Sequence, residues 1–568
     1  MPHLPPPMQP HPRRKLPRLS SFAPLLAIFA WVGTCAQLPA QDHANRPSLV
    51  AETEKLVFEE WVVLVIGNKP CGYGTTRITQ VETPGGPQFH TTHQENFTVK
   101  RLSASMTLIR TSTITEDAEG GVLSFTMDSS GAGSDIRSSG IREGDALVVS
   151  SRGQTKRYHL PRLSALGPEK IRKLTLAVPL KPGQPFSFDT FDPEYPQAVV
   201  SEAGQVIGQE THNVRGMERR LWKMTSETST MPGFGSTIWV DDQGNDVEAM
   251  VALPGLGTLH QYVTDKLECL KQVEGAEVFN ATLIHPPHAL LEPDQQAEAV
   301  YRLGTVDLSK TLSLWNEGEQ KVISSAPGTV QISVSDEPIS PASITWQLPH
   351  ADTPALHPYL ESTTYLEVRS PEIQALALEA VDNEKNPVKA AHLIEKFVRR
   401  YIKKKDLRIG FASAQETARS REGDCTEHAV LCAALGRAVG LPTRCVVGLG
   451  YIPPGAAGPA VVDGKISNTG VFGFHMWAEA WVGPDQWVPM DAALNGFDVG
   501  HIAINKSALT EINPLVDFTA PAVQLMQGLS ISVMGTQRKS AIETPTRTAP
   551  VSTTPPPRRT APALPEVD

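Results

Sequence analysis

Residues 423–442 read GDCTEHAVLCAALGRAVGLP, and this stretch decides how the chemistry-bearing part of the chain folds. Asp424, followed by a glutamate three residues later, is the pattern of a helix N-terminal capping box. The glycine and proline that close the stretch are typical of a helix end. The pattern therefore predicts a helix from Cys425 to about Val439.

Cys425 falls at the first position of this predicted helix. Unpaired backbone N–H groups and the positive end of the helix dipole stabilise a thiolate there, and the thiolate is the nucleophilic form of cysteine. The alternative is an inert, small residue near a cap. The backbone N–H of Cys425 is also placed to stabilise an oxyanion. Gln415 is one polar candidate for a second donor, with a plain surface position as the alternative.

Residues 474–481 read FHMWAEAW and alternate as a half-buried strand does. His475, Trp477 and Glu479 then share one face of the sheet. Trp477 is a candidate substrate contact, with a place in the core or groove wall as the alternative. For Glu479 we favour a structural role, buried against Arg444, over contact with substrate.

A turn after this strand leads to a partner strand that ends at Asp491. Asp491 reaches the face that carries His475 only if the hairpin has an odd register. A loop of odd length, or a bulge near Gly483, produces that register. We therefore predict Asp491 opposite Trp477 or Glu479.

Cys425, His475 and Asp491 together supply what acyl transfer by a thiol requires: a nucleophile, a base and a carboxylate that orients the base. Four segments resemble the bacterial transglutaminase-like superfamily, namely GDCTEHA at 423–429, GLPTR at 440–444, HMWAE at 475–479 and WVPMD at 487–491. The resemblance covers about residues 370–510. It implies a papain-like α+β core in which these three residues form the catalytic triad, in a family of cross-linkers, peptidases and amidases.

No cofactor and no metal are predicted. His428, His475 and Cys445 are a conceivable zinc set, but they lack the regular paired spacing of zinc ligands.

The first residues indicate a targeting signal rather than structure. An apolar run at 22–32, too short to span a bilayer, follows a basic segment, and small residues offer cleavage after Ala36 or Ala40. We therefore predict a signal peptide at 1–36 and a periplasmic or extracellular protein without a stable membrane span after cleavage. Membrane anchoring by an uncleaved signal is the alternative, and a lipid-modified Cys35 is less favoured because Thr34 is larger than the residue usually found there.

The remaining pattern predicts a multidomain chain. Short β-type runs separated by turn signals indicate all-β N-terminal regions, whereas Ser370-Pro371 begins a helical stretch that Asn386-Pro387 interrupts. The expected order is a linker at 37–57, a β-rich domain at 58–272, a second β-rich segment at 273–365 with strands at 330–334 and 343–348, the transglutaminase-like domain at 366–515, and a C-terminal extension at 516–568, disordered from about 536.

Composition limits the partners. The chain has 568 residues and a formal net charge of −10, which argues against nucleic acid. We expect a protein or peptide substrate. The sequence favours an exported thiol enzyme that hydrolyses or transfers the acyl groups of protein or peptide amides, and the alternative is a catalytically silent envelope module that binds peptides or proteins on the same fold.

Overall fold

The computed structural model describes residues 54–539 apart from short gaps, which are 102–103, 132–134, 231–234, 254–256, 272, 274, 278–281, 306–311, 313, 352, 405–410, 456–460, 463–464, 467, 514–516 and 518–527. The predicted signal peptide, nearly all of the predicted linker, and the chain beyond 539 lie outside the described residues. Within the described ranges, no helix combines the length and the apolar character needed to cross a membrane.

The N-terminal region is one large antiparallel sheet, as the short alternating runs predict. Strands β1 to β8 form one meander and β9 to β14 a second, and the two join where β1 pairs with β14. The short β15 adds to β3 in parallel. The bounds are β1 Lys55–Ile66, β2 Lys69–Thr83, β3 Gly86–Arg101, β4 Ala104–Asp117, β5 Val122–Gly131, β6 Ile136–Glu143, β7 Ala146–Ser151, β8 Gln154–His159, β9 Pro185–Thr190, β10 Val200–Val214, β11 Met217–Thr228, β12 Gly235–Val240, β13 Asp246–Leu253, β14 Gly257–Thr264 and β15 Ala276–Glu277.

Two helices accompany this sheet, α1 (Pro168–Thr175) and the short α2 (Lys266–Cys269). The carboxylate of Glu116, on β4, accepts the backbone N–H groups of Glu169 and Lys170 at 2.9 and 2.8 Å. The free donors of a helix N-terminus are thereby satisfied by the sheet. This contact fixes α1, which links the two meanders, to the first of them.

The second sheet contains β16 (Gln296–Gly304), β17 (Gln320–Ala326), β18 (Thr329–Ser335) and β25 (Ser530–Arg538), in the order β17-β18-β16-β25. Its edge strand β25 comes from the C-terminal extension and pairs along the whole of β16. The predicted onset of disorder near 536 is therefore wrong for the last residues of β25, because backbone pairing with β16 orders a segment that has few large apolar side chains.

The predicted strand at 343–348 is also wrong. This segment begins in a single 3-10 turn, Pro341–Ser343, and then runs without pairing to another strand. Side chains hold it instead: the Trp346 indole N–H donates to the carbonyl of Val482 at 2.8 Å, and its ring stacks on Trp481. Further single-turn 3-10 helices are Pro293–Gln295 and His357–Tyr359.

The third unit is an α+β domain, as predicted. Its helices are α3 (Pro371–Val381), α4 (Pro387–Tyr401), α5 (Ala414–Ser420) and α6 (Cys425–Ala438), and its antiparallel sheet has the order β23-β22-β19-β24. The strands are β19 Thr443–Ile452, β22 Val471–Gly483, β23 Gln486–Met490 and β24 His501–Ser507, with a separate small hairpin of β20 Val461–Val462 and β21 Lys465–Ile466. Buried on nearly every side, α6 contacts the three other helices and packs on β22 and β19.

The second sheet is joined to the α+β domain by polar contacts with β24 and the turn before it. The side-chain amide of Gln320 donates to the carbonyl of Ala503 at 2.9 Å and accepts its N–H at 2.8 Å. The Tyr301 hydroxyl donates to the carbonyl of Val499 at 2.7 Å. An exposed strand edge carries unpaired backbone groups, and Gln320 satisfies two of them.

Gly448, in the middle of β19, tests how tightly this domain packs. A Cβ there would lie 2.1 Å from the carbonyl oxygen of Ile502 and 2.8 Å from the Trp477 ring. We expect Gly448→Ala to lower the free energy of unfolding by about 1–3 kcal/mol, because β19 and β24 must separate. In the control Gly473→Ala the nearest atom is the end of the Leu283 side chain, at 3.3 Å. Equal denaturant midpoints for the two variants would contradict this packing.

Candidate active site

Cys425 is the first residue of α6, and a capping box holds it there. The Asp424 carboxylate accepts the N–H of Thr426 at 3.1 Å, while Glu427 accepts the N–H of Asp424 at 2.9 Å. The side chain of Cys425 is half-buried, at the margin of the apolar cluster that contains Met476 and Ala478 of β22. The predicted helix is confirmed with Cys425 as its first residue, at the positive end of the helix dipole.

The loop before Cys425 is fastened by Glu427. This buried carboxyl also accepts the backbone N–H of Ala412 at 2.9 Å, so that it joins two chain segments. Burial and then the nearby charge of Asp424 raise the pKa of Glu427 well above its ordinary value. Gly423 lies so close that a Cβ would be 2.4 Å from the Cβ of Glu427. Gly423, two residues before Cys425, therefore has no room for a side chain.

His475 and Asp491 meet because the hairpin has the odd register. Met490 pairs with Ala478, and a register shift between Trp481 and Gly483 supplies the predicted bulge. Asp491, the next residue, then lies on the face of His475. The His475 Nε2 and Asp491 Oδ2 atoms are 2.8 Å apart, and both side chains are buried. Because Nε2 is engaged by the carboxylate, Nδ1 is the ring nitrogen left for a thiol.

Asp491 is held by more than His475. Its Oδ1 accepts the backbone N–H groups of Ala493 and Leu494, at 2.8 and 3.1 Å, and Arg399 of α4 donates to its carbonyl at 2.9 Å. Burial alone raises the pKa of Asp491. The charge and hydrogen bond of His475, together with the hydrogen bond of a second histidine, more than offset burial and hold that pKa well below its usual range.

The second histidine is His501, which sequence reasoning missed. It begins β24, and its Nε2 lies 2.9 Å from the same Asp491 Oδ2 that bonds His475. On the central strand β19, His475 pairs with Gly448 and His501 with Gly450. A Cβ on Gly450 would be 3.1 Å from the Cβ of His475, so that glycine leaves room for the ring. In the sequence, His501 differs from its neighbours only as a histidine at the start of an apolar strand. That position does not predict its contact with Asp491.

The donor atoms of His475, Asp491 and His501 lie within 4.8 Å of one another, which is a spacing that a metal ion can use. Two hydrogen bonds to one oxygen account for the same spacing. His428 and Cys445, considered with His475 from the sequence, do not belong to this group. The His428 ring instead hydrogen-bonds the carbonyl of Asp424.

Two other residues considered from the sequence, Glu479 and Gln415, form hydrogen bonds with neighbouring side chains. Glu479 accepts Arg444 Nε at 2.8 Å and Lys506 Nζ at 2.9 Å, and the three charges are buried together. This is the structural role favoured from the sequence. The Gln415 amide donates to Ser370 Oγ at 2.9 Å, so its engagement there argues against use as an oxyanion donor.

Trp477 is 1% exposed, so this structure places its ring in the core, and the contact with substrate stays a prediction. Its ring packs edge-on against His501 and also contacts Phe497. The loop before β24 covers the part of the sheet face that carries Trp477. The alternation of residues along one strand does not predict which segment covers that face. The tryptophan therefore supports the histidines from within the core, the alternative left open by the sequence.

The other described cysteines are poor nucleophiles. Cys71, Cys269, Cys432 and Cys445 are buried, and none of the five described cysteines forms a disulfide. Burial raises the pKa of the Cys71 and Cys445 thiols to about 12 and that of Cys269 to about 11, and it raises the pKa of Cys432 well above the ordinary value. Of these five thiols, Cys425 is the most accessible.

Comparison with known proteins finds a family model that matches part of the chain. The model of the transglutaminase-like superfamily matches residues 374–492, a range that contains Cys425, His475 and Asp491. The resemblance inferred from the sequence motifs is thereby confirmed for this part of the chain. No curated protein matches the sequence.

Two solved structures are similar to parts of the chain. A candidate cysteine protease from Cytophaga hutchinsonii is 16% identical, with 43% of this chain and 89% of that chain covered and a TM-score of 0.28. A β-barrel-like domain of unknown function from Brucella abortus is 12% identical, with 36% and 95% covered and a TM-score of 0.26. TM-scores this low leave both similarities too weak to support a functional argument.

Gly423→Ala tests the loop that leads to Cys425. The added Cβ must push the loop away from Glu427 and move Cys425, so we expect the alkylation rate of Cys425 to fall roughly 10- to 100-fold. Gly436→Ala, at the far end of α6, is the matched control, because its Cβ would lie 2.5 Å from the Thr443 side chain. The control should lose stability but keep the alkylation rate. Equal alkylation rates in the two variants would contradict the role given to Gly423.

Proposed function

We propose that this chain, whose residues 374–492 form a domain of the transglutaminase-like superfamily, is an exported thiol enzyme acting on protein or peptide amides. It hydrolyses these amides or transfers their acyl groups. The observation that carries the proposal is the buried hydrogen bond between His475 and Asp491, on a strand against which the helix of Cys425 packs. A nucleophile, a base and an orienting carboxylate are thus supplied by neighbouring elements.

In the first half of the reaction the Cys425 thiolate attacks the carbonyl carbon of the amide. A C–S bond forms, and the carbonyl π electrons move to oxygen, where the backbone N–H of Cys425 is placed to stabilise the negative charge. The imidazolium of His475 then gives its Nδ1 proton to the departing nitrogen. The C–N bond breaks, and the products are an amine and an acyl-thioester on Cys425.

In the second half an acceptor replaces the enzyme sulfur. His475, now neutral, takes a proton from water or from a primary amine, and the acceptor attacks the thioester carbonyl. The C–S bond breaks and returns a thiolate beside an imidazolium. Water gives hydrolysis and an amine gives transfer. We favour hydrolysis, because water is always present and an amine-binding site has no recognisable signature in the sequence.

The role proposed for Asp491 is to fix one tautomer of His475 and to stabilise its imidazolium. Backbone N–H groups on Oδ1 hold the carboxylate in place, so its other oxygen is free to bind imidazole nitrogen. Asp491→Asn keeps the size of the side chain but removes its charge. By analogy with other triads, this change lowers turnover by on the order of 1,000- to 10,000-fold.

Selective alkylation tests the nucleophile. With iodoacetamide near pH 7, we expect Cys425 to react first, because the other described thiols are buried and have raised pKa values. His475→Ala should slow the reaction, and the buried thiol of Cys432 in the same helix serves as an internal control. Equal labelling of every cysteine in the folded chain would refute an activated Cys425.

Turnover tests the reaction class. We expect the purified chain to cleave members of a peptide library, and Cys425→Ala to abolish cleavage while the fold is kept. Adding a primary amine separates the two outcomes, since transfer yields an amine-linked product that mass spectrometry detects. Peptide binding that is equal in both proteins, without turnover, would instead favour a silent envelope module.

Export is tested by cell fractionation, and retention of the full chain in the cytoplasm would contradict it.

A further inference from the structure

His501 hydrogen-bonds the carboxylate of Asp491, yet the proposed reaction does not use it. It is buried, and its Nε2 donates to Asp491 Oδ2 at 2.9 Å. Its Nδ1 lies 3.0 Å from the carbonyl oxygen of Asp498 and 3.1 Å from Oδ1 of the same residue. Each ring nitrogen therefore has an oxygen acceptor, and one carboxylate lies at each side of the ring.

This arrangement favours a ring that carries both protons. The backbone N–H of Asp498 also donates to Nδ1, at 3.3 Å, which a neutral ring would accept, but this contact is longer than those between Nδ1 and the two oxygens. Burial by itself disfavours an imidazolium. Hydrogen bonds and charges of Asp491 and Asp498 outweigh burial and raise the pKa of His501 to about 10. A buried cation between two carboxylates is the consequence.

Groups with charge or titratable protons surround this cation on several elements. Arg399 of α4 bonds the Asp491 carbonyl and pairs with Glu395, and Cys432 of α6 lies close enough to feel the charge of Asp491. Tyr301 of β16 interacts electrostatically with Asp498 and with Tyr451 of β19, and the His475 ring of β22 lies 5.6 Å from the His501 ring. Only Asp491 and Asp498 form hydrogen bonds with His501 among the described side chains.

We propose that His501 is a positioning residue of the thiol site: its imidazolium holds the Asp491 oxygen that orients His475 and sets the pH range in which Cys425 and His475 are active. The inference rests on the proposed thiol chemistry. His501 touches no reacting atom, because Asp491 lies between it and His475. It fixes where the carboxylate points and shares the negative charge that His475 would otherwise have alone.

The direction of the charge effect follows from simple electrostatics. The two imidazole centroids are 5.6 Å apart, so a positive His501 disfavours protonation of His475 and favours ionisation of the Cys425 thiol. Removing that charge therefore makes both groups hold their protons to higher pH. We expect each limb of the pH–activity profile to move up, by about one pH unit at the limb set by His475.

His501→Gln and His501→Leu separate charge from contact. Glutamine retains an N–H donor without the charge, so its profile should move to higher pH with the maximal rate reduced only a few-fold. Leucine removes both, and its maximal rate should also fall roughly 10- to 100-fold, because Asp491 is no longer held. Rates of Cys425 alkylation by chloroacetate and by chloroacetamide supply a profile that needs no substrate, since only the anionic reagent is sensitive to a cationic His475.

The outcomes separate this inference from the proposed function. If Cys425 of the native chain is not selectively alkylated, the proposed function fails. If it is, and His501→Gln shifts neither limb while remaining folded by circular dichroism, the inference alone fails. A zinc chelator that reproduces the His501→Leu profile would also overturn it, because the three side chains would then hold a metal ion.

A measurement on the native chain does not depend on the folding of a variant. Besides the imidazolium that His475 forms with a thiolate, nitrogen-15 spectra of histidine-labelled protein should contain one imidazole in which both ring nitrogens stay protonated from pH 6 to about pH 9, as expected for a pKa near 10. Deprotonation of every histidine below pH 8 would overturn the proposal.

Discussion

The site depends on the hydrogen bonds that the carboxylate of Asp491 accepts. It is buried, yet it receives four hydrogen bonds: two from the backbone just after it, one from His475 and one from His501. A buried charge is tolerable only when it is paired and hydrogen-bonded. The sheet and the turn after Asp491 supply these hydrogen bonds, and Arg399 of helix α4 bonds the backbone carbonyl of the same residue. The fold of the domain therefore holds the carboxylate in place.

The two β-rich regions contact the α+β domain that contains the site. From the sequence, these three parts of the chain look like separate units. The second sheet satisfies the edge of β24, directly after His501, through the amide of Gln320. The N-terminal sheet reaches the α+β domain through Arg152, which bonds Glu416 at 3.0 Å; Glu416 belongs to the capping box of α5. The β-rich regions therefore contact helix α5 and strand β24 of the α+β domain.

Short stretches of sequence predicted much of the structure around the site. A capping box and a terminal glycine defined α6, and the need to put Asp491 on the face of His475 required the odd register found at the bulge near Gly483. Pairings between distant segments were not predictable. His501 reaches Asp491 through β19, and β25 joins β16 from more than two hundred residues away. Such contacts depend on how whole strands and helices pack against one another. The spacing of residues along the sequence does not specify that packing.

The central proposal is that the sulfur of Cys425 is ionised near neutral pH, because Cys425 begins a helix that packs against the strand of His475. Thiolate absorbs near 240 nm, so its formation can be followed directly by titrating the native chain against Cys425→Ala. We expect the difference spectrum to contain thiolate already at about pH 6, well below the ordinary range of a free thiol. A difference signal that appears only above about pH 8 would contradict this claim.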